Sequence, residues 1–184
     1  MSHNVYFLPS GSVEKFNVVI EIPYGSQNKY EIDAETGALF LDRVLYGAAF
    51  YPGNYGFIPS TKAEDGDALD AIVFMTNAVP PMTVVPSRAI GMMQMMDSGE
   101  LDSKVLAVPV SDPRFDDIKT IEDLPKHILK DLTDFFENMQ KYKNGEWKRG
   151  VNQVTATLSR DETNLLIAKY LNNFPSIDTE VHFE

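Results

Sequence analysis

Val84 to Pro109 reads VVPSRAIGMMQMMDSGELDSKVLAVP. Val84 to Met96 carries a β pattern, Ser98-Gly99-Glu100 turns the chain, and Leu101 to Pro109 returns as a second strand. Asp97 and Asp102 therefore flank a hairpin turn, and the period of two puts Asp102 and Lys104 on one face of the returning strand. The chain before this hairpin is also built of short strands. Phe16 to Ile22 (FNVVIEI) is β-rich and stops at Pro23, Lys29 to Asp33 alternates polar and apolar residues, and Gly37 to Val44 reads as a turn entering a strand. Ala71 to Met75 is a buried strand bounded by an acidic loop and by Pro80-Pro81. After residue 120 the period changes. Thr120 and Asp123 have capping-box-like spacing, and Ile128, Leu129, Leu132, Phe135, Phe136 and Met139 then recur on one helix face. Ser159 and Glu162 open a second helix that carries Leu165, Leu166, Ala168 and Tyr170 inward, and Trp147 to Leu158 between the two reads as two short β segments. Strands followed by segregated helices predict an α+β domain centred on a small antiparallel sheet or barrel.

A chain of 184 residues suits a single domain, 1–184, able to bury roughly two thirds of its unfolded surface without staples. It has no cysteine, which excludes disulfides, thiolate zinc sites and thiol nucleophiles. The histidines, His3, His127 and His182, show no ligand-type spacing. The N-terminus has no apolar signal core and no apolar run approaches the ~20 residues of a membrane span, so a soluble cytoplasmic protein without a membrane partner is expected. A net charge of −11 argues against a nucleic-acid partner, because phosphate-backbone binding needs a basic stripe. An acidic protein still binds a small polyanion where metals invert the local field and a few Lys and Arg converge.

The run Asp65, Gly66, Asp67, Ala68, Leu69, Asp70 packs three carboxylates into six residues. Carboxylates held on one face repel one another by ~1 kcal/mol per pair at 4 Å in water and ~4 kcal/mol at an effective dielectric of 20, a penalty that a divalent cation removes. A lone Asp-Gly-Asp is ordinary turn chemistry. Two acidic clusters, this run and Asp97 with Asp102 beside Lys104, each leading into an apolar strand, point to a metal site that meets a phosphate. Lys29 and Glu31 share a strand face in the same way as Asp102 and Lys104; each pair taken alone reads equally as a surface ion pair. An EF-hand fails on position, since the sixth place from Asp65 is Asp70 where Gly is needed and the twelfth is Thr76 where Glu is needed. There is no P-loop. An oxygen-only, Mg²⁺-like site remains.

These residues stand in longer motifs: EIPYGSQNKYE (Glu21 to Glu31), GALFLDR (Gly37 to Arg43), YPGNYGFIP (Tyr51 to Pro59), EDGDALD (Glu64 to Asp70) and DSGELDSKVLAVP (Asp97 to Pro109). In their order and spacing across Glu21 to Trp147, the chain resembles the family I soluble inorganic pyrophosphatases of the bacterial type. The resemblance implies a small closed five-stranded barrel of OB type with two main helices packed outside. It also implies Mg²⁺-dependent hydrolysis of pyrophosphate to two phosphates by metal-activated water, with several Mg²⁺ ions per site and Mn²⁺ as the other candidate. Asp65, Asp70 and Asp102 would hold the first metal, with Asp70 bridging to a second. Asp97 with Asp102 would take a metal that arrives with substrate, and Glu31 another. Lys29, Arg43, Tyr55 and Lys104 would bind phosphate oxygens, Glu21 would support the metal shell, and Tyr51 would donate a supporting hydrogen bond. Asp67, between two metal ligands, is the candidate base that orients the attacking water. Relatives of this type are typically hexamers, so a homo-oligomer is expected.

The chain departs from the family where FFE is followed by a Tyr-Lys pair that contacts the product-side phosphate. Met139 and Gln140 occupy those positions, and Tyr142-Lys143 follows one helical turn later. Tyr142 and Lys143 are therefore candidate substitutes, reached by a shift or unwinding at the helix end near Gly145. Ala68, where the family has Pro, and Ser98, where it often has an acid, leave the proposed ligands in place. Within the aromatic stretch Phe50 to Phe57, function goes to Tyr55, with Phe50 and Phe57 left to the core. The alternative reading is a metal- or polyanion-binding protein on the same fold with reduced turnover. A nuclease is disfavoured by the absence of a base-stacking platform.

Overall fold

In the computed structural model, which describes residues 4–143, 146–149 and 152–173, the strands run in chain order β1 (Phe16–Ile22), β2 (Asn28–Ile32), β3 (Leu39–Val44), β4 (Asn54–Ile58), β5 (Leu69–Val73), β6 (Val84–Asp97), β7 (Glu100–Pro109), β8 (Gln140–Lys143), β9 (Glu146–Arg149) and β10 (Asn152–Ser159). The helices are α1 (Lys126–Asn138) and α2 (Arg160–Asn172). Alternation on the strands decides the core. Phe16, Val18 and Ile20 of β1, Ile58 of β4, Leu69, Ala71 and Val73 of β5, Val85, Ala89 and Met92 of β6, and Val105 and Ala107 of β7 share one buried cluster. A cluster fed by five strands suits the filled interior of a small closed ring. The pairing shows this closure: β1 to β4, β4 to β5, β5 to β7, β7 to β6, and β6 back to β1. The ring is the five-stranded core expected, and β10 extends it beyond β6.

One seam departs from the antiparallel expectation. β5 and β7 are parallel, with Asp70 opposite Lys104 and Val73 opposite Ala107. The reason is parity: strand direction cannot alternate all the way round a ring of five, so at least one neighbouring pair must run the same way.

The helices cover the ring. α1 lays Leu132 and Phe136 on the outward residues Ile72, Ile90, Met93, Met95, Leu106 and Val108, with Ile128, Leu129, Phe135 and Met139 packed around them. α2 reaches the interior cluster with Ile167 and Tyr170. Its expected phase needs correction, because Leu165 is 73% exposed. Thr163, Ile167 and Tyr170 form the buried stripe, and Leu165 sits about 200° around the helix from Ile167. The Ser159–Glu162 capping box is present, with the Ser159 N–H donating to Glu162 Oε2 at 2.9 Å. Thr120 and Asp123 instead cap a short 3₁₀ turn, Ile121–Asp123, and α1 begins only after Pro125.

Two further expectations change. Phe50 is 50% exposed rather than in the core, whereas Phe57 is buried. Met139 leaves the helix with extended backbone (φ −60°, ψ 123°), and Gln140–Lys143 pairs with Glu146–Arg149 as a hairpin, Tyr142 opposite Trp147. Tyr142 and Lys143 therefore stand on a strand and not one helical turn on. Their side chains, like Gly145, lie outside the described residues. Among the described residues no helix is long and apolar enough to cross a membrane.

Candidate active site

Because Leu69, Ala71 and Val73 point inward on β5, Asp70 points outward. Because Val105 and Ala107 point inward on β7, Asp102 and Lys104 point outward. The parallel register sets Asp70 opposite Lys104, and Tyr55 stands outward on the neighbouring β4, opposite Ile72. These four side chains form the floor of the site. The Lys104 ammonium donates to Asp70 Oδ2 at 2.5 Å and to Asp102 Oδ1, and the Tyr55 hydroxyl donates to the same Asp70 Oδ2 at 2.5 Å. Lys104 is only 3% exposed and lies 5.5 Å from the centre of the Tyr55 ring and 6.0 Å from that of Phe136. Burial by itself would lower its pKa, but the two carboxylates outweigh it and hold the ammonium charged above the usual lysine range. Burial raises Asp102 despite Lys104 beside it. It also raises the Tyr55 hydroxyl well above its ordinary value, with Asp70 adding to the effect.

One wall is the loop between β4 and β5. Gly66 adopts φ +95°, a left-handed turn that suits glycine, and the Asp67 N–H donates to Asp65 Oδ1 at 3.0 Å. The Asp67 carboxyl is raised first by burial and then by the charges of Asp65, Asp70 and Glu31. The opposite wall is the β2–β3 hairpin, where Lys29 pairs in register with Arg43. Lys29 meets Glu31 and donates to Asp42 at 3.0 Å, and Arg43 Nη1 donates to the same Asp42 oxygen at 2.8 Å. Arg43 Nε is buried and has no hydrogen-bond partner among the described residues. Behind this hairpin Glu21 Oε1 accepts the Ile32 N–H at 2.7 Å, and burial pushes the Glu21 carboxyl up to about 8. Tyr51 is buried with its ring against Tyr55 (5.5 Å) and Phe135 (5.0 Å).

Twelve of the fourteen residues singled out in the sequence line one cavity of about 660 Å³: Glu21, Lys29, Glu31, Arg43, Tyr51, Tyr55, Asp65, Asp67, Asp70, Asp97, Asp102 and Lys104. The other two, Tyr142 and Lys143, have side chains outside the described residues. With Asp33, which also lines it, eight carboxylates face three cations in this cavity. Among the described residues no three acidic or histidine side chains are drawn into a ready-made cage; the carboxylates are spread over the walls, and Lys104 stands between Asp70 and Asp102.

The model of the inorganic pyrophosphatase family matches residues 18–174. The chain belongs to the inorganic pyrophosphatase family. It is 54% identical over 130 residues to the inorganic pyrophosphatase of Geobacillus stearothermophilus, covering 71% of this chain and 77% of that one. It is 44% identical over 158 residues to the enzyme of Synechocystis sp., covering 86% and 90%. The crystal structure of the inorganic pyrophosphatase from Thermus thermophilus superposes with a TM-score of 0.84 at 41% identity, over 93% of this chain and 98% of that one. Three further residues that sequence reasoning missed shape this cavity, Asp42 from behind its wall and Tyr6 and Asn152 from its lining. Asp42 fixes both Lys29 and Arg43, and its place between the two would follow only from the hairpin register. Tyr6, stacked on Phe57 at 4.3 Å, and Asn152 both line the cavity from distant parts of the chain, and no local pattern marks either.

Proposed function

We propose that the chain hydrolyses pyrophosphate to two phosphates in this cavity with Mg²⁺ as cofactor. The observation that carries the reading is the opposition of a buried guanidinium donor, Arg43 Nε, unpartnered among the described residues, to a wall of carboxylates in one cavity. The first asks for an anion and the second for cations, and a phosphate–metal complex supplies both. The donor set fits a hard cation: it is all oxygen, without Cys or His, and burial and mutual charge strain Asp67, Asp102 and Glu21 towards protonation. Asp65, Asp70 and Asp102 would hold one ion with Asp70 shared to a second, Asp97 with Asp102 another, and Glu31 a further one. Bound there, Mg²⁺ supplies charge neutralisation and acidifies water.

The chain's own residues do the rest. Arg43, Lys29 and Lys104 hold phosphoryl oxygens and offset the charge that builds on the departing phosphate. Tyr55, whose single O–H is given to Asp70, would turn that O–H to a phosphate oxygen once Asp70 is taken up by a cation. Asp67 orients the attacking water and accepts its proton as the bridging P–O bond breaks and the water oxygen joins one phosphorus. Tyr142 and Lys143, three and four residues beyond Met139, are assigned the product-side phosphate, and Lys143→Ala is expected to lower turnover. Hydrophobic side chains exposed on and beside the β2–β3 hairpin, among them Leu41, Val44, Tyr46 and Phe50, support self-association, hexameric as the resemblance implies; light scattering that finds only monomer at micromolar concentration refutes this.

The test is phosphate release from pyrophosphate and from ATP, with Mg²⁺, Mn²⁺ or a chelator, for the parent and Asp70→Asn. Hydrolysis confined to pyrophosphate, dependent on metal and nearly abolished in Asp70→Asn, is expected. Undiminished hydrolysis in excess chelator refutes the metal role. Cation and pyrophosphate binding without turnover would favour a binding protein, the outcome for which Met139 on the cavity wall is the structural reason.

A further inference from the structure

Asn152, the first residue of β10, is 9% exposed and lines the cavity beside Met139 and Asp97. Its Nδ2 donates to the Phe136 carbonyl at 3.2 Å, one of the last α1 carbonyls that the helix leaves without an internal donor. That bond fixes which way the amide faces. Exchanging nitrogen and oxygen would set Oδ1 against the Phe136 oxygen, two acceptors in contact. Oδ1 is therefore held away from the helix, buried, and without a hydrogen-bond partner among the described residues. A buried amide oxygen left in this state costs about as much as a lost hydrogen bond, so its ligand is part of what the site is built to hold.

The chemistry of that ligand follows from the acceptor. Phosphate oxygens are themselves acceptors and would be repelled. The Lys104 ammonium is engaged by Asp70 and Asp102. A buried water or a hydrated cation remains, and the carboxylate of Asp97 across the ladder favours the cation, which presents polarised water O–H groups or the bare ion. Asn152 and Asp97 are direct partners across the β10–β6 ladder, so their side chains share one face with Cβ atoms about 5 Å apart. Asp102 pairs with Met95, two residues before Asp97 on the same face. We infer that Asn152 is a cation-site residue of this enzyme: its Oδ1 accepts a hydrogen bond from the hydration water of a divalent cation held at Asp97 and Asp102. The inference rests on the metal reading proposed above, and it adds a neutral oxygen to the end of the site where the family's Tyr-Lys pair is replaced by Met139 and Gln140. A Mg²⁺ ion that keeps several waters needs such acceptors around it.

The experiment is Mn²⁺ binding, read from the loss of the free-ion EPR signal with Mg²⁺ as competitor, on the full chain in the presence of non-hydrolysable imidodiphosphate. Asn152→Ala is expected to raise the Kd of the weakest-held ion about tenfold and to leave the tighter ions unchanged. Asn152→Ser, whose hydroxyl falls short of the Oδ1 position, should behave in the same direction and serves if the alanine variant does not fold. Parental Kd values in both variants, even with a lowered Tm, would make Asn152 a plain helix cap and overturn the inference. Asp70→Asn and Asp97→Asn separate the two failures. If they lose Mn²⁺ while the Asn152 variants match the parent, only this inference falls; if they too bind like the parent, the metal reading falls with it.

Discussion

Glu21 offers a prediction whose size can be worked from the structure. The side chain is 7% exposed, and burial drives its carboxyl up to about 8, against the pull of the Ile32 N–H and with Asp70 pushing it further. In the unfolded chain it titrates near 4.5. The folded state thus holds a proton that the unfolded state has released between these values. Its stabilisation is complete below about pH 4.5 and is lost as pH rises through about 8. At ~1.36 kcal/mol per pH unit the loss amounts to about 5 kcal/mol by pH 9, comparable to the whole stability of many domains. Glu21→Gln keeps an amide oxygen for the Ile32 N–H and removes the ionisation. In chelator, the variant should therefore match the parent at pH 4.5 and exceed it at pH 9 by roughly 10–20 °C in Tm, at about 2–4 °C per kcal/mol for a chain of this size. Circular dichroism melts at the two pH values decide it. Cations at the carboxylate wall would favour the ionised Glu21, so Mg²⁺ should narrow the gap at pH 9. Equal melting of variant and parent at pH 9 in chelator would refute the argument that burial, and not the hydrogen bond, dominates this carboxyl.

Lys104→Met leaves the half-buried Asp70 and Asp102 without their ammonium and should cost the metal-free protein about 1–3 kcal/mol; Mg²⁺ should then raise the variant's Tm more than the parent's, and an equal response in melts with and without Mg²⁺ counts against the shared charge role. Asp67→Asn should lower kcat by ~10²–10⁴ while calorimetry finds a Mg²⁺ Kd near the parent's; weakened Mg²⁺ binding with kcat restored at saturation would make Asp67 a ligand instead of a base. Gly56→Ala would place a Cβ 1.9 Å from the Val19 carbonyl oxygen and must part β1 from β4, so we expect a loss above about 3 kcal/mol; a parental denaturation midpoint would show that the ring does not depend on this close approach.

The acidic motifs were legible because strand alternation converts spacing directly into facing: Asp102 with Lys104 needs only a period of two, and the parallel register then adds Asp70. The central hairpin was legible too, since Ser98 and Gly99 both take the positive φ (57° and 96°) that a two-residue turn demands. Other features depend on contacts distant in sequence. The phase of α2 is set by which stripe meets the ring interior, and a window containing Leu165, Leu166 and Ile167 does not contain that information. Met139 leaves α1 without a Gly or Pro to announce it, so an amphipathic helix and a following strand read as one helix. Asn152 reaches the site only because β10 pairs with β6, across more than fifty residues of chain.

The location of the site follows from the strand count. A ring of five must contain a parallel seam, and here the seam is β5–β7. Running the same way, these strands begin at the same end of the ring, so the Asp65–Asp70 loop that leads into β5 and the Asp97–Asp102 turn that leads into β7 arrive side by side. Had the pair been antiparallel, the loop and the turn would stand a strand's length apart, about 17 Å for five residues, beyond any shared ion. The two acidic clusters are brought together by the one ladder that ring closure compels to be parallel, and Lys104, opposite Asp70 on that ladder, is the charge that keeps them compatible.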